Sequence, residues 1–243
     1  HISTPSLTPV SVTVTEIGGT TSVYDDVSNA NPLEILIGSG ANTPFVANVG
    51  TTGSKYSNKG YSIQSAQPIY VSVRLTAGNQ NQAGSLVSKG LAGLGTTFRV
   101  GTFTNQRNFS SNNQDYLNFV SVMATENNTQ LDFSDLATGT IIENDTPLSV
   151  ILNYGETYVI ALNPAVTPAN RDGLAGALVT SNKPIVVNCG SSNGSNSTGN
   201  GRDFGIDQIA PFETIVIDGQ DYSEYIFVRA NGYDDIERPL IVA

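Results

Sequence analysis

The chain has 243 residues, with 11 Lys and Arg against 21 Asp and Glu, a formal charge of −10, and only 13% of its residues charged. So acidic a chain has no clustered basic surface for a phosphate backbone, and nucleic acid is not expected as a partner. The one His is residue 1 and the one Cys is residue 189, which excludes Ser-His-Asp and Cys-His catalysts, His-ligated metals, internal disulfides and thiolate clusters.

Taken in chain order, the predicted elements are strands. Val10-Ser-Val-Thr-Val-Thr15, Pro68-Ile-Tyr-Val-Ser-Val-Arg-Leu75, Thr157-Tyr-Val-Ile-Ala-Leu162 and Glu224-Tyr-Ile-Phe-Val-Arg229 carry the period-2 pattern or short β-branched runs. Turn formers punctuate them at Gly18-Gly19, Asp172-Gly173, Asp218-Gly219 and Asn231-Gly232. The one helical candidate, 84–94, is weakened by Gly90 and Gly93. No stretch approaches the roughly 20 apolar residues of a membrane span, so membrane insertion is not expected. The fold class expected is all-β and antiparallel.

An internal repeat organises these strands. The segment from Gly60 to Val73 aligns without a gap on the segment from Gly176 to Cys189, with Gly, Ser, Pro, Ile and Val at matching positions. Asn31-Pro-Leu-Glu-Ile-Leu-Ile37 matches Thr146-Pro-Leu-Ser-Val-Ile-Leu152, while Ile2-Ser-Thr4 and Val122-Met-Ala-Thr125 each open a hairpin, and Leu240-Ile-Val-Ala243 looks like a third opening. The expectation is two tandem units of about 115–120 residues, packed as β-sandwiches or as propeller-like blades. They cover 1–118 and 119–238, and 239–243 starts a third. The chain reads as a fragment, since it lacks a starting Met and a signal peptide and ends within an apolar run.

Pro68 and Pro184 each follow a polar turn and are expected to open a strand, where a missing N–H is tolerated. Alternation then places Ile69, Val71, Val73 and Leu75 on one inward face, and Ile185, Val187 and Cys189 on its counterpart. Cys189 thus stands where Val73 stands, which predicts a buried, inert thiol.

Few side chains carry recognisable chemistry. Carboxylates cluster at Asp25-Asp26, Asp132 and Asp135, Asp203 and Asp207, and Asp234-Asp235 with Glu237. Calcium takes about six to eight oxygen ligands, but no cluster has EF-hand spacing, so solvated turn carboxylates are the expectation. If calcium binds, Asp234, Asp235 and Glu237 are the first candidates; no other cofactor is expected. Paired carboxylates could instead serve a glycosidase, whose two carboxyls stand about 5–9 Å apart across a sugar. The absence of Trp weighs against a sugar-stacking platform, although the ten Tyr residues could substitute for it. Gly90, Gly93 and Gly95 lack the Gly-Lys-Ser/Thr ending of a phosphate loop and read as a close-packed connection flanked by Lys89 and Arg99. The segment 190–201 is Gly, Ser, Asn and Thr throughout and reads as an exposed, mobile loop.

Four segments together resemble the IgGFc-binding-protein N-terminal-like domain. They are Ala83-Gly-Ser-Leu-Val-Ser-Lys-Gly-Leu-Ala-Gly-Leu-Gly-Thr-Thr-Phe-Arg99, Val122-Met-Ala-Thr-Glu-Asn-Asn-Thr129, Ser181-Asn-Lys-Pro-Ile-Val-Val-Asn-Cys189 and Gly201-Arg-Asp-Phe-Gly-Ile-Asp-Gln-Ile209. The version they are most similar to stands at the front of very large surface proteins of gliding Bacteroidetes. The resemblance implies a secreted, extracellular, non-catalytic module of a cell-surface adhesin, exported by a type IX secretion system. In that setting the sequons at Asn108, Asn127, Asn144, Asn193 and Asn196 are coincidences of an Asn-rich chain. Antibody and mucus binding by animal relatives is not carried over, because no motif here corresponds to it. The expected partners are a surface polymer, a glycan or a protein, the secretion machinery, and other domains of a longer chain. Contacts with a surface ligand are expected through the loops 76–94 and 190–203. A carbohydrate-active enzyme using paired acids and a passive spacer are the alternative functions.

Overall fold

A computed structural model describes residues 1–40, 42–77, 82–102, 117–195, 203–212, 215–217 and 220–222. Alternating apolar and hydroxyl side chains build strands here because period 2 sends one set inward and the other to solvent. In β2 (Val10–Glu16), for example, Val10, Val12 and Val14 are buried while Ser11 is exposed. Every strand pairing is antiparallel, and the described residues contain no α-helix. Among them, no helix is long and apolar enough to cross a membrane.

The first part of the chain forms two three-stranded sheets. One has the order β3-β2-β5, from β3 (Thr21–Val27), β2 and β5 (Tyr61–Ser65). The other has the order β1-β6-β7, from β1 (Ile2–Ser3), β6 (Tyr70–Ala77) and β7 (Gln82–Val87). Ile2, Val10, Val12, Val14 and Val27 are buried between them, with Tyr61, Ile63, Ile69 and Val71 only partly covered.

The largest sheet is organised by one strand. β13 (Leu178–Gly194) runs for 17 residues and serves different neighbours along its length. On one side its first part pairs with β10 (Thr129–Ser134) and its second part with β9 (Asn118–Ala124). On the other side lie β8 (Leu94–Arg99) and then β14 (Asp203–Gln208). β11 (Ser149–Leu152) extends the sheet beyond β10, while β12 (Thr157–Leu162) and the short β4 (Lys55–Tyr56) extend it beyond β9. The sheet therefore wraps round as a nearly closed barrel on one core. That core includes Phe98, Leu131, Phe133, Tyr158, Ile160, Leu162, Val179, Ile185, Val187 and Cys189. A separate hairpin pairs β15 (Ile215–Ile217) with β16 (Gln220–Tyr222).

Three local expectations change. The helical candidate 84–94 is β7 followed by a single 3-10 turn, Gly90–Gly93, with Gly90 at φ +56°. Pro184 does not open a strand: β13 passes straight through it. Its missing N–H is tolerated because β10 pairing stops at Ser181, β9 pairing starts at Ile185, and the β8 register shifts between Thr180 and Ile185. The segment 190–201 is not wholly an exposed loop. Residues 190–194 continue β13 with Ser191 and Asn193 buried, while 196–200 and 201 lie outside the described residues. Gly190 makes this possible, since a Cβ there would run into the Gly205 carbonyl of β14.

The first part of the chain also grips the barrel directly. Tyr56 and Lys55 of β4 pair with Thr157 and Tyr158 of β12. Beside them the Thr157 hydroxyl donates to the Lys59 carbonyl (2.7 Å), and the Gly53 N–H donates to the Val159 carbonyl (2.9 Å). The Asn144 amide adds bonds to the Val49 carbonyl (2.9 Å) and the Thr52 hydroxyl (2.7 Å).

Candidate binding surface

The described parts of the two segments expected to contact a ligand, 76–94 and 190–203, meet where β7 packs on the β13–β14 pair. β7 lies across β14, and Gly84 permits the approach: a Cβ there would stand 2.5 Å from the Phe204 carbonyl oxygen. Side chains tie the crossing at each level. The Gln82 amide donates to Asn193 Oδ1 (2.6 Å), and the Ala83 N–H donates to Asp203 Oδ1 (2.6 Å). Further along, Gln208 Oε1 accepts from the Ser88 hydroxyl (3.1 Å) and from the Lys89 N–H. Lys89 Nζ then pairs with Asp207 Oδ1 at 3.1 Å. This surface is polar and close to charge balance, held by amides and by one exposed ion pair that contributes little to stability. Such a frame suits loop-borne recognition, because rigid strands fix the bases of the loops. The residues 78–81 and 196–202 between these bases lie outside the described residues.

The acidic clusters do not converge. Asp132 Oδ1 accepts from the Ser149 hydroxyl (2.6 Å) and the Gln130 amide (3.1 Å), whereas Asp135 Oδ2 is bound by Arg99 Nη1 at 2.6 Å. Asp26 accepts from the Asn31 amide (3.3 Å) on the exposed β3 edge. Asp203 and Asp207 are held by β7 and Lys89, as above. Among the described residues no three His, Cys, Asp or Glu side chains are placed to share a metal ion. Asp234, Asp235 and Glu237 lie outside the described residues.

Lys89 and Arg99, left without readable partners in the sequence, thus have them in Asp207 and Asp135. Gly93 and Gly95 pack tightly, facing Gln208 and Pro211 respectively, as a close-packed connection requires.

Cys189 sits in the core at 1% exposure, on the inward face with Ile185 and Val187. Its thiol donates to the Gly101 carbonyl (3.0 Å). Burial, aided by the Asp207 carboxylate, pushes it up to about 12. A thiol in that state is a poor nucleophile at neutral pH.

A set of buried amides, Asn118, Asn163 and Asn170, carries no signal in the sequence. The Asn170 side chain donates to the Ile141 and Asn163 carbonyls and accepts from the Ile141 N–H, each at 2.9 Å. The Asn118 amide donates to the Asn170 (3.1 Å) and Arg171 (2.9 Å) carbonyls. These bonds tie the turn Pro168–Arg171 to the start of β9, to Ile141 and to Asn163 after β12. Asn in an Asn-rich chain carries no motif, and only tertiary packing separates these positions from solvated ones.

A broad open groove of about 770 Å³ runs over the solvent side of β2 and β5. Ser6, Thr8, Ser11, Thr13, Gln64 and Gln67 line it with hydroxyls and amides, and no charged residue borders it.

No curated protein and no solved structure matches the chain. A family model described as IgGFc binding protein matches residues 83–242, a span that opens in β7 and takes in β8 to β16. That span is well over half of the sequence, and the chain belongs to the IgGFc binding protein family.

Proposed function

We propose that this chain is a non-catalytic adhesion or display module of a secreted bacterial surface protein. Membership of a binding family supports the binding part of this reading. The observation that supports it furthest is the clasp of β7 on β14, where Gln82, Ala83 and Ser88 bond to Asn193, Asp203 and Gln208 and so hold the described parts of segments 76–94 and 190–203 together. The ligand is a surface polymer, glycan or protein, contacted through those loops. Export by a type IX system to the outside of a gliding bacterium, and a place in a longer adhesin, belong to the same proposal.

The tandem-unit organisation is part of it too, and strand order supports it. In order, β1-β6-β7 matches β9-β13-β14, and β3-β2-β5 matches β11-β10-β13. The registers agree in detail: Val14 faces Ile63 as Phe133 faces Val179, and Val10 faces Val27 as Thr129 faces Leu152. Thr4 and Thr125 each donate to the carbonyl of the corresponding proline, Pro68 (2.8 Å) and Pro184 (2.5 Å).

The test is a binding screen of the purified chain on arrayed glycans, mucin-type glycoproteins and immunoglobulin Fc, run beside a glycan hydrolysis assay. Fc is included because the family is named for it. Saturable binding that is lost when Gln82 and Lys89 are both changed to Ala supports the proposal. Turnover abolished by a single Asp→Asn change would replace it with an enzyme, and silence on every surface would leave a spacer.

A further inference from the structure

In the barrel, the first part of β13 is flanked on both sides. Val179 faces Phe133 of β10 on one edge and Phe98 of β8 on the other, and Thr180 likewise lies between Asp132 and Thr97. The result is full burial: Val179 and Phe98 are both 0% exposed. β5 takes the corresponding place in the first part of the chain. There Ile63 faces Val14 and Gln64 faces Thr13 of β2. On its other edge β5 has no strand partner among the described residues.

The consequence shows in the side chains. Ile63, in the position of Val179, is only partly buried, and so is Tyr61, in the position of the fully buried Ala177. Among the described residues, no strand covers the flank of the smaller core that β8 covers in the barrel. β5 carries no charge and no proline from Tyr61 to Ser65, so it lacks two features that commonly block edge pairing.

We infer that the outer edge of β5 is a docking site for one antiparallel strand of the β8 kind, donated by another unit of the same repeat. The identity of the donor rests on the tandem-unit reading above. The chemistry of the match follows from β8 itself, Leu94-Gly-Thr-Thr-Phe-Arg99. Its backbone supplies the ladder, its small Gly and Thr residues let it lie flat, and its Phe fills the core beside the facing β-branched residue. An equivalent Phe on β5 would seat beside Ile63 and Tyr61 and close the flank. The β8 strand of this chain is already committed to β13, so the donor is a β8 segment of a neighbouring unit in a longer chain.

The probe is a synthetic peptide with the sequence of residues 90–101, added to the isotope-labelled full chain and read by amide NMR. The expected result is saturable shifts confined to residues 61–65 and their β2 neighbours. Amide exchange should slow there by about tenfold or more at millimolar peptide. A peptide carrying the F98D change should lose the effect. No response of 61–65 to millimolar peptide, or a response only at β13 through exchange with the resident β8, would overturn the docking site. An equal response to a scrambled strand-forming peptide would keep the open edge but overturn the repeat as donor. Each outcome is read at β5, so none of them bears on ligand binding by the loops 76–94 and 190–203.

Discussion

Among the described residues, the core around β13 holds seventeen buried apolar side chains, whereas the one around β2 holds five. Both regions are built from antiparallel strands with the same alternation, so strand pattern does not explain the difference. Coverage does. β13 has neighbours on both edges over most of its length, and β9 is backed by β12 and β4. β5 lacks an outer strand among the described residues, and β1 is met on its outer side by a single bridge from Ile2 to Leu33. Each fully buried Val, Leu, Ile or Phe contributes about 1.5–3 kcal/mol, so stability is concentrated in the barrel. The two candidate loops spring from β6–β7 and from the β13–β14 junction, which places one loop base on each region. The clasp of β7 on β14 therefore joins a less stable frame to a more stable one.

The largest expected effect is at the strand that makes the difference. Phe98→Ala should cost about 3–5 kcal/mol in denaturant unfolding, because the cavity opens in a closed core. Ile63→Ala, at the half-covered counterpart, should cost only about 1 kcal/mol. Equal losses would break the comparison. Next comes the buried amide that holds the turn Pro168–Arg171: Asn170→Ala strands two carbonyls and one N–H and should cost about 2–3 kcal/mol.

Cys189 sharpens the comparison through pH. Its folded thiol stands at about 12 against an ordinary 9.0. On alkalinisation the unfolded chain loses this proton first. The stability tied to the neutral buried thiol is thus complete below pH 9 and drains away as pH rises from 9 toward 12. At pH 10 the loss should be about 1.4 kcal/mol, and Cys189→Val should remove that part of the slope in pH-dependent melting. Native Cys189 should also resist thiol reagents at neutral pH until the barrel opens. The smallest effect is expected at the clasp: Lys89→Ala breaks an exposed pair and should change stability by less than about 0.5 kcal/mol.

Much of the strand content was legible in the sequence, because period 2 is a local signal. The alternation that placed Cys189 beside Ile185 and Val187 holds in the core. The gap-free match of 60–73 to 176–189 sets Ile63, which faces Val14 of β2, against Val179, which faces Phe133 of β10. The match of 31–37 to 146–152 fares differently. Leu152 pairs with Thr129, a place that Val27 of β3 takes opposite Val10, while Leu33 bridges to Ile2 instead. A short apolar run specifies burial but not which edge it joins. Closure of the barrel was hidden for a similar reason. β8 lies about 80 residues before its partner β13, and only non-local pairing unites them. Of the candidate binding surface, 84–94 reads as a weak helix and 190–201 as a loop, whereas 82–87 is β7 and 190–194 continues β13. The amides Gln82, Asn193 and Gln208 that bind these segments together were not legible, since nothing local distinguishes a buried amide from a solvated one.

The barrel forms a nearly closed, stable core, whereas the outer edge of β5 has no strand partner among the described residues. Native-state hydrogen exchange, read residue by residue, tests it most directly. The amides of β9, β12 and β13 should exchange only by global unfolding, while those on the outer edge of β5 should exchange orders of magnitude faster. Equal protection of β5 and β13 would contradict it.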